Sequence, residues 1–405
     1  MTARSVITGL GVVAPNGIGA AEYWQATLAG RGGIGPITRF DASRYPTRLG
    51  GVIRDFDPAR YMPSRLVAQT DLWSQYGLAA TALALRDAGL DVASVPEFEL
   101  GVVTASSSGG NEFGQREIQK LWGLGPECVG AYQSIAWFYA ATTGQLSIAY
   151  GARGPCGVLV AEQAAGLDAL GQARRAIRTE ARVVISGGTE APLSPYALVC
   201  QLASGQLSDG DNPRQCFLPF DCRARGHVPG EGGAILIVED LAAARARGAR
   251  VYGEIAGYAA GFDQQPDSGR PAALAATIRR ALADAAVAAA EVDVVFADAA
   301  AVPALDRAEA AAIEEVFGTH AVPVTAPKTM TGRLYAGGAP LDVAAALLAI
   351  RDGVIPPTVG VGELADGCRI DLVRDQARPA PLRTALVLAR GFGGFTAALI
   401  LTAAG

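Results

Sequence analysis

Val160-Ala161-Glu162-Gln163-Ala164-Ala165-Gly166 is the stretch from which the rest of the chain is read. It follows Gly151-Ala152-Arg153-Gly154-Pro155 and precedes an amphipathic run over residues 167–177. That layout predicts a tight turn feeding the start of a helix. Free N–H groups and the helix dipole favour an anion at such a point, and a thiol there ionises more easily. The turn therefore suits a nucleophile. Its central position carries Gln163, and a primary amide cannot accept an acyl group. Two readings stay open here: an elbow that has lost its nucleophile, or a turn that never held one.

Outward from the turn, residues 100–104 and 182–188 read as buried strands, the second closed by glycines. Strand, turn, helix and strand make an α/β unit. The first half adds a short strand at 5–8, helices at 20–28, 75–88 and 113–121, a strand at 230–238, a helix at 241–247 and a strand at 251–255. Gly89 supplies a helix stop. The second half repeats the style with helices at 272–290, 304–316 and 339–351 and strands at 292–297, 384–388 and 396–401. The expectation is a duplicated α/β architecture divided into residues 1–255 and 256–405.

The chain has 405 residues, 50% hydrophobic and 18% charged, enough for one large or two closely joined domains. Mean hydropathy is +0.24, much of it from Ala and Gly. No run reaches about 18 uncharged apolar residues, so no membrane span is expected. The N-terminal Met1-Thr2-Ala3-Arg4-Ser5 runs into strand-like Val6-Ile7 without a signal-peptide pattern. Six cysteines without C-x-x-C spacing predict reduced thiols in a cytoplasmic protein and no metal site. A formal charge of −5 with no Lys/Arg block disfavours nucleic acid as a partner.

Gly9-Leu10-Gly11-Val12-Val13-Ala14 fits the G-x-G-x-x-A form of a dinucleotide fingerprint. The fingerprint needs a helix to begin at once and an acidic residue about 20 positions on. Pro15-Asn16-Gly17 delays the helix, and the acidic residue is missing. A close-packed strand-to-turn passage is the preferred reading. Tyr132, Trp137, Phe138 and Tyr139 form an aromatic cluster suited to core or interface packing.

Five motifs in order resemble the β-ketoacyl synthase family. They are Thr8-Gly-Leu-Gly-Val-Val-Ala-Pro-Asn-Gly17; Pro219-Phe-Asp221 with Gly226 and Gly230-Glu-Gly232; Val292 to Ala297 with Pro303 and Glu309; Pro327-Lys-Thr-Met-Thr-Gly332; and Gly391-Phe-Gly-Gly394. The resemblance covers nearly the whole chain and implies a duplicated thiolase-type αβαβα five-layer sandwich. Active members hold a Cys at the elbow and two His beyond it. The matching positions here are Gln163, Asp298 and Arg333, while Lys328 is kept as structural support. His227 and His320 fall on neither His position. Asp298 and Arg333 are expected to pair and plug the cavity that they face.

Gln163 in its setting, with residues 106–122 and 131–139, resembles the chain length factors, the ketosynthase β subunits of bacterial type II polyketide synthases. The resemblance implies a non-condensing partner of an active ketosynthase α subunit. The pair would extend a polyketide chain carried on the phosphopantetheine arm of an acyl carrier protein, with no cofactor bound directly. It places the chain-length gate at Asn111, Gly114 and Ile118, with Phe113 in the same segment, and the subunit interface at Tyr132, Gln133, Trp137 and Phe138. Small or medium gate residues imply a fairly long tunnel. Three other readings remain: malonyl carrier-protein decarboxylation through Gln163, independent catalysis by a cysteine such as Cys156 (otherwise a buried small hydrophobe), and a homodimeric scaffold.

Overall fold

The computed structural model describes residues 3–263 and 273–404. One long sheet runs through it in the order Asp371–Leu372, Pro323–Thr325, Val294–Phe296, Thr384–Arg390, Phe395–Thr402, Gly253–Phe262, Ser5–Ala14, Gly232–Asp240, Val183–Glu190, Leu100–Ala105 and Cys156–Leu159.

The pairings repeat. From Ser5–Ala14 outward to Cys156–Leu159 they run antiparallel, antiparallel, parallel, parallel. From Gly253–Phe262 outward to Pro323–Thr325 they run the same way. The halves meet in a short antiparallel join, Val6 opposite Glu254 and Ile7 opposite Gly253. Strand order therefore displays a duplication that residue identity could not demonstrate. Residue 255 lies inside the strand Gly253–Phe262.

Three apolar layers alternate with the two half-sheets. Helix Leu72–Ala88 covers the outer face of the first half with Trp73, Tyr76 and Leu78. Helices Ala164–Thr179 and Gly338–Asp352 share a central core with both halves, including Leu167, Leu170, Leu347 and Leu399. Helices Ala273–Ala285 and Pro303–Phe317 cover the second half. The result is the expected αβαβα sandwich. Gly338 to Ile350 is buried on every side, which is why that stretch is almost free of charge. Each Leu or Ile there contributes about 1.5–3 kcal/mol.

Helix Ala20–Leu28 has the expected bounds. Helix Leu72–Ala88 starts earlier than residue 75, because the Asp71 side chain caps it by accepting from Trp73 N at 3.0 Å. The first strand corrects the reading of a short strand and a turn: it is continuous over Ser5–Ala14. A Cβ on Gly11 would lie 1.7 Å from the Ala80 carbonyl oxygen, so the glycine admits the helix behind the strand. No helix begins there, so nothing is set to meet a pyrophosphate. The helix expected over 272–290 is shorter, Ala273–Ala285, and its expected first residue, Ala272, lies outside the described residues.

Candidate functional site

The strand Cys156–Leu159 delivers the chain into the turn. Glu162 takes φ 51, a left-handed conformation that residues with side chains rarely adopt. Gln163 is the N-cap residue of helix Ala164–Thr179, so the elbow is real. Gly166 lets this helix approach its neighbour: a Cβ there would sit 2.4 Å from Pro340 Cδ. Gln163 is fully buried, and its Nε2 donates to Asp298 Oδ1 at 2.9 Å.

Asp298 follows the strand Val294–Phe296, in a loop where Ala299 (φ 52) and Ala301 (φ 54) are also left-handed. Glu309, on helix Pro303–Phe317, holds the loop by accepting from Asp298 N at 2.7 Å and Ala299 N at 2.9 Å. Asp298 Oδ1 also accepts from Arg390 N at 2.9 Å, and its Oδ2 meets Arg333 Nη1 at 3.2 Å. The anticipated pair thus exists, and both members are buried. Arg333 Nη2 donates to the Arg390 carbonyl at 2.5 Å, and its Nε lies 3.6 Å from Glu162 Oε1. Burial opposes the guanidinium charge, but the Asp298 and Glu162 carboxylates outweigh it and hold Arg333 above the ordinary arginine range. Burial pushes the Glu162 carboxyl up, partly offset by Arg333. Lys328 Nζ pairs with Asp342 at 2.8 Å and donates to the Ala297 carbonyl, tying the loop to the central helix Gly338–Asp352.

One amide, one carboxylate and one guanidinium therefore bind one another where acyl transfer would need a thiolate and proton donors, and the Gln163 Oε1 is left buried without a partner. Among the described residues no group of three or more His, Cys, Asp or Glu side chains is placed to hold a metal ion.

Beside the cluster lies a cavity of about 350 Å³ whose lining includes Ser107, Asn111, Glu162, His227, Tyr335 and Phe392. Phe392, in the Gly-rich loop, donates its N–H to Glu162 Oε2 at 2.6 Å. His227 is buried with its Nε2 3.5 Å from the Tyr335 hydroxyl and its Nδ1 without a partner. Burial first, then Arg333, pulls its pKa well below 6.5, so the ring is neutral. Glu162, His227 and Tyr335 escaped the sequence reading. Glu162 stood inside the decisive stretch, but its positive φ leaves no signal in residue type, and His227 lies 108 positions from Tyr335 and 106 from Arg333, which it meets only through the fold.

Asn111, Gly114 and Ile118 share one face of helix Asn111–Leu124, grading from partly buried through buried to 50% exposed. Phe113 points into protein: it is buried, and Asp71 Oδ2 accepts from its N–H at 2.7 Å. Tyr132, Trp137 and Phe138 are not core but exposed, and Gln133 is partly buried with an unpartnered Oε1. Trp122 is 83% exposed beside them in sequence, and Ile148 is exposed too. Cys156 corrects another expectation: it is exposed, because its strand is the last in the sheet and, among the described residues, pairs with Leu100–Ala105 alone.

A five-layer duplicated sandwich with an elbow at its central helix defines a thiolase-type condensing-enzyme scaffold, here with an amide at the nucleophile position. Residues 3–244 match the beta-ketoacyl synthase N-terminal domain and residues 252–362 the C-terminal domain, and the chain belongs to the beta-ketoacyl synthase family. It is 58% identical over 398 residues to the tetracenomycin polyketide synthase ketoacyl synthase beta subunit of Streptomyces glaucescens, covering 98% of this chain and 97% of that protein. The ishigamide ketosynthase/chain length factor superposes with a TM-score of 0.90 at 29% identity, covering 100% of both chains. A type II polyketide synthase acyl-carrier protein in complex with its ketosynthase bound to the hexaketide gives 0.88 at 27% identity, again over 100% of both. No helix among the described residues is long and apolar enough to cross a membrane.

Proposed function

We propose that this chain is a chain length factor: a non-condensing subunit that pairs with an active ketosynthase α subunit and shapes the tunnel for iterative polyketide elongation from malonyl-acyl carrier protein. The observation that carries the reading is the buried Gln163–Asp298–Arg333 cluster, in which no group can take an acyl chain. Two further features support a partner. Among the described residues nothing pairs with the outer edge of the terminal strand Cys156–Leu159, and an apolar face with Tyr132, Trp137 and Phe138 lies exposed. Open strand edges and large apolar patches mark interaction surfaces. The two halves, 1–255 and 256–405, supply the elbow and the Asp298–Arg333 pair respectively, so the site needs both. The phosphopantetheine arm arrives on the carrier protein, and the gate is the Asn111, Gly114 and Ile118 face.

The test is reconstitution in a cytoplasmic expression host. Co-expressed with a ketosynthase that carries the Cys and both His, the chain co-purifies as a heterodimer that elongates malonyl-acyl carrier protein. Alone it condenses nothing. Condensation by the isolated chain, or failure to co-purify, would refute the reading.

A further inference from the structure

We infer that Glu162, Asp298 and Arg333 work as a latch on the Gly391–Gly394 loop, holding Phe392 at the rim of the cavity beside Gln163, so that this subunit refuses a thioester arm and the carrier protein is served by the α subunit alone. The inference rests on the chain length factor reading above.

The loop is the turn between the strands Thr384–Arg390 and Phe395–Thr402. Its glycines make it pliable. Gly393 (φ 87) and Gly394 (φ 112) are left-handed, and a Cβ on Gly393 would meet nothing within 4 Å. Composition alone would let such a turn swing. It is held instead by bonds to three backbone groups within three residues. The Arg390 N–H donates to Asp298 Oδ1 at 2.9 Å, and its carbonyl accepts from Arg333 Nη2 at 2.5 Å. The Phe392 N–H donates to Glu162 Oε2 at 2.6 Å. Glu162 closes the unit, since its Oε1 lies 3.6 Å from Arg333 Nε. Each bond has a charged member, which makes it about twice as strong as a neutral one. The left-handed backbone at Glu162 (φ 51) is the kind of strain found at clamps and switch regions, and here the strained residue is the one that reaches Phe392.

Phe392 lines the cavity while staying 62% exposed, so it stands where the cavity meets solvent. The lining adds a second barrier. It includes the Glu162 carboxyl and, among the described residues, no Lys or Arg. Arg333 is engaged by Asp298, Glu162 and the Arg390 carbonyl. A malonyl group, itself a carboxylate, therefore meets a carboxyl there and no counter-charge.

The test puts a reporter thiol behind the latch. Gln163→Cys in the reconstituted heterodimer is treated with bromoacetyl-pantetheine, and alkylation is followed by mass spectrometry with the α subunit's own Cys as the reference. The reporter reacts more slowly than that Cys, and adding Glu162→Ala speeds it about tenfold, the worth of one hydrogen bond to a charged group. Glu162→Gln keeps an oxygen for the Phe392 N–H and leaves the reporter slow. A reporter as fast as the α-subunit Cys, no acceleration by Glu162→Ala, or equal acceleration by Glu162→Gln overturns the latch. If Glu162→Ala does not pair with the α subunit, hydrogen exchange in the native heterodimer decides. The Phe392 amide exchanges more slowly than the Gly393 amide, and equal rates overturn the inference. Elongation of malonyl-acyl carrier protein by the native heterodimer is measured alongside. A failed latch with elongation intact leaves the chain length factor reading standing, and absent elongation overturns both.

Discussion

Replacing Arg333 by Met tests whether the cluster is a closed electrostatic unit. At 3.2 Å the Arg333–Asp298 contact is worth about 5 kcal/mol of attraction at an effective dielectric constant of about 20. Burial of both side chains offsets much of that, so the intact pair contributes little net stability. Removing the cation is different. Asp298 stays 1% exposed, with only the neutral Gln163 amide and the Arg390 N–H to satisfy it. The expected cost is about 3–5 kcal/mol. At about 2.1 cal/mol/K of unfolding entropy per residue, a chain of 405 residues loses roughly 4–6 °C in apparent Tm. Asp298→Asn keeps the acceptor oxygen and leaves Arg333 its second carboxylate, Glu162, at 3.6 Å. It should cost less, about 1.5–3 kcal/mol. The double variant should be milder than the sum of the two by about 1–3 kcal/mol. The assay is thermal denaturation of the co-purified heterodimer at fixed concentration. A loss below about 1 kcal/mol for Arg333→Met, or strict additivity in the double variant, refutes the argument that the two charges depend on each other.

Three further outcomes follow from the geometry. A Cβ at Gly114 would sit 3.6 Å from Trp137 Cβ, an ordinary contact, so Gly114→Thr is expected to fold and to shorten the polyketide, as is Ile118→Phe, with mass spectrometry of the products as the readout. Gln163 is fully buried with its amide nitrogen held by Asp298, so Gln163→Ala should leave malonyl carrier-protein decarboxylation by the heterodimer unchanged; a loss of about tenfold would restore the priming role. Burial holds the Glu190 and Asp306 carboxyls up at about 7 and Asp71 at about 6. Each keeps its proton in the folded chain at pH values where the unfolded chain, with pKa near ~4, has lost it, so their contribution is full below pH ~4 and is lost as pH rises towards 7. His227, held neutral, acts in the opposite sense, so the measurement is a difference: denaturant midpoints between pH 5 and 8 should decline less for Glu190→Gln than for the wild type.

Much of the architecture was legible because periodicity and burial agree. The apolar run within Gly338–Asp352 had to be an internal helix, and Gly89 had to end one. Boundaries slipped where side chains act locally: the Asp71 cap lengthened its helix, and packing against Ala80 kept Gly11 inside a strand. Of the site, Gln163, Asp298 and Arg333 could be placed by motif, since each sits in a distinctive run. Glu162 and His227 could not. A left-handed backbone at a glutamate and a histidine neutralised by its surroundings are products of the finished fold. Exposure at Cys156 was equally hidden, because a strand's sequence does not say whether a neighbour will cover its far side.

That uncovered strand has a consequence for how the protein exists in a cell. Cys156–Leu159 ends the sheet with no strand of the described residues on its outer side, close in sequence to the exposed Ile148 and Val160. An unclaimed edge will accept any extended segment offered to it, including another copy of itself. The yield of native chain should therefore follow the supply of whatever covers that edge. Synthesis in step with a covering subunit would then act as a folding safeguard, and surplus chain would be the fraction lost to aggregates.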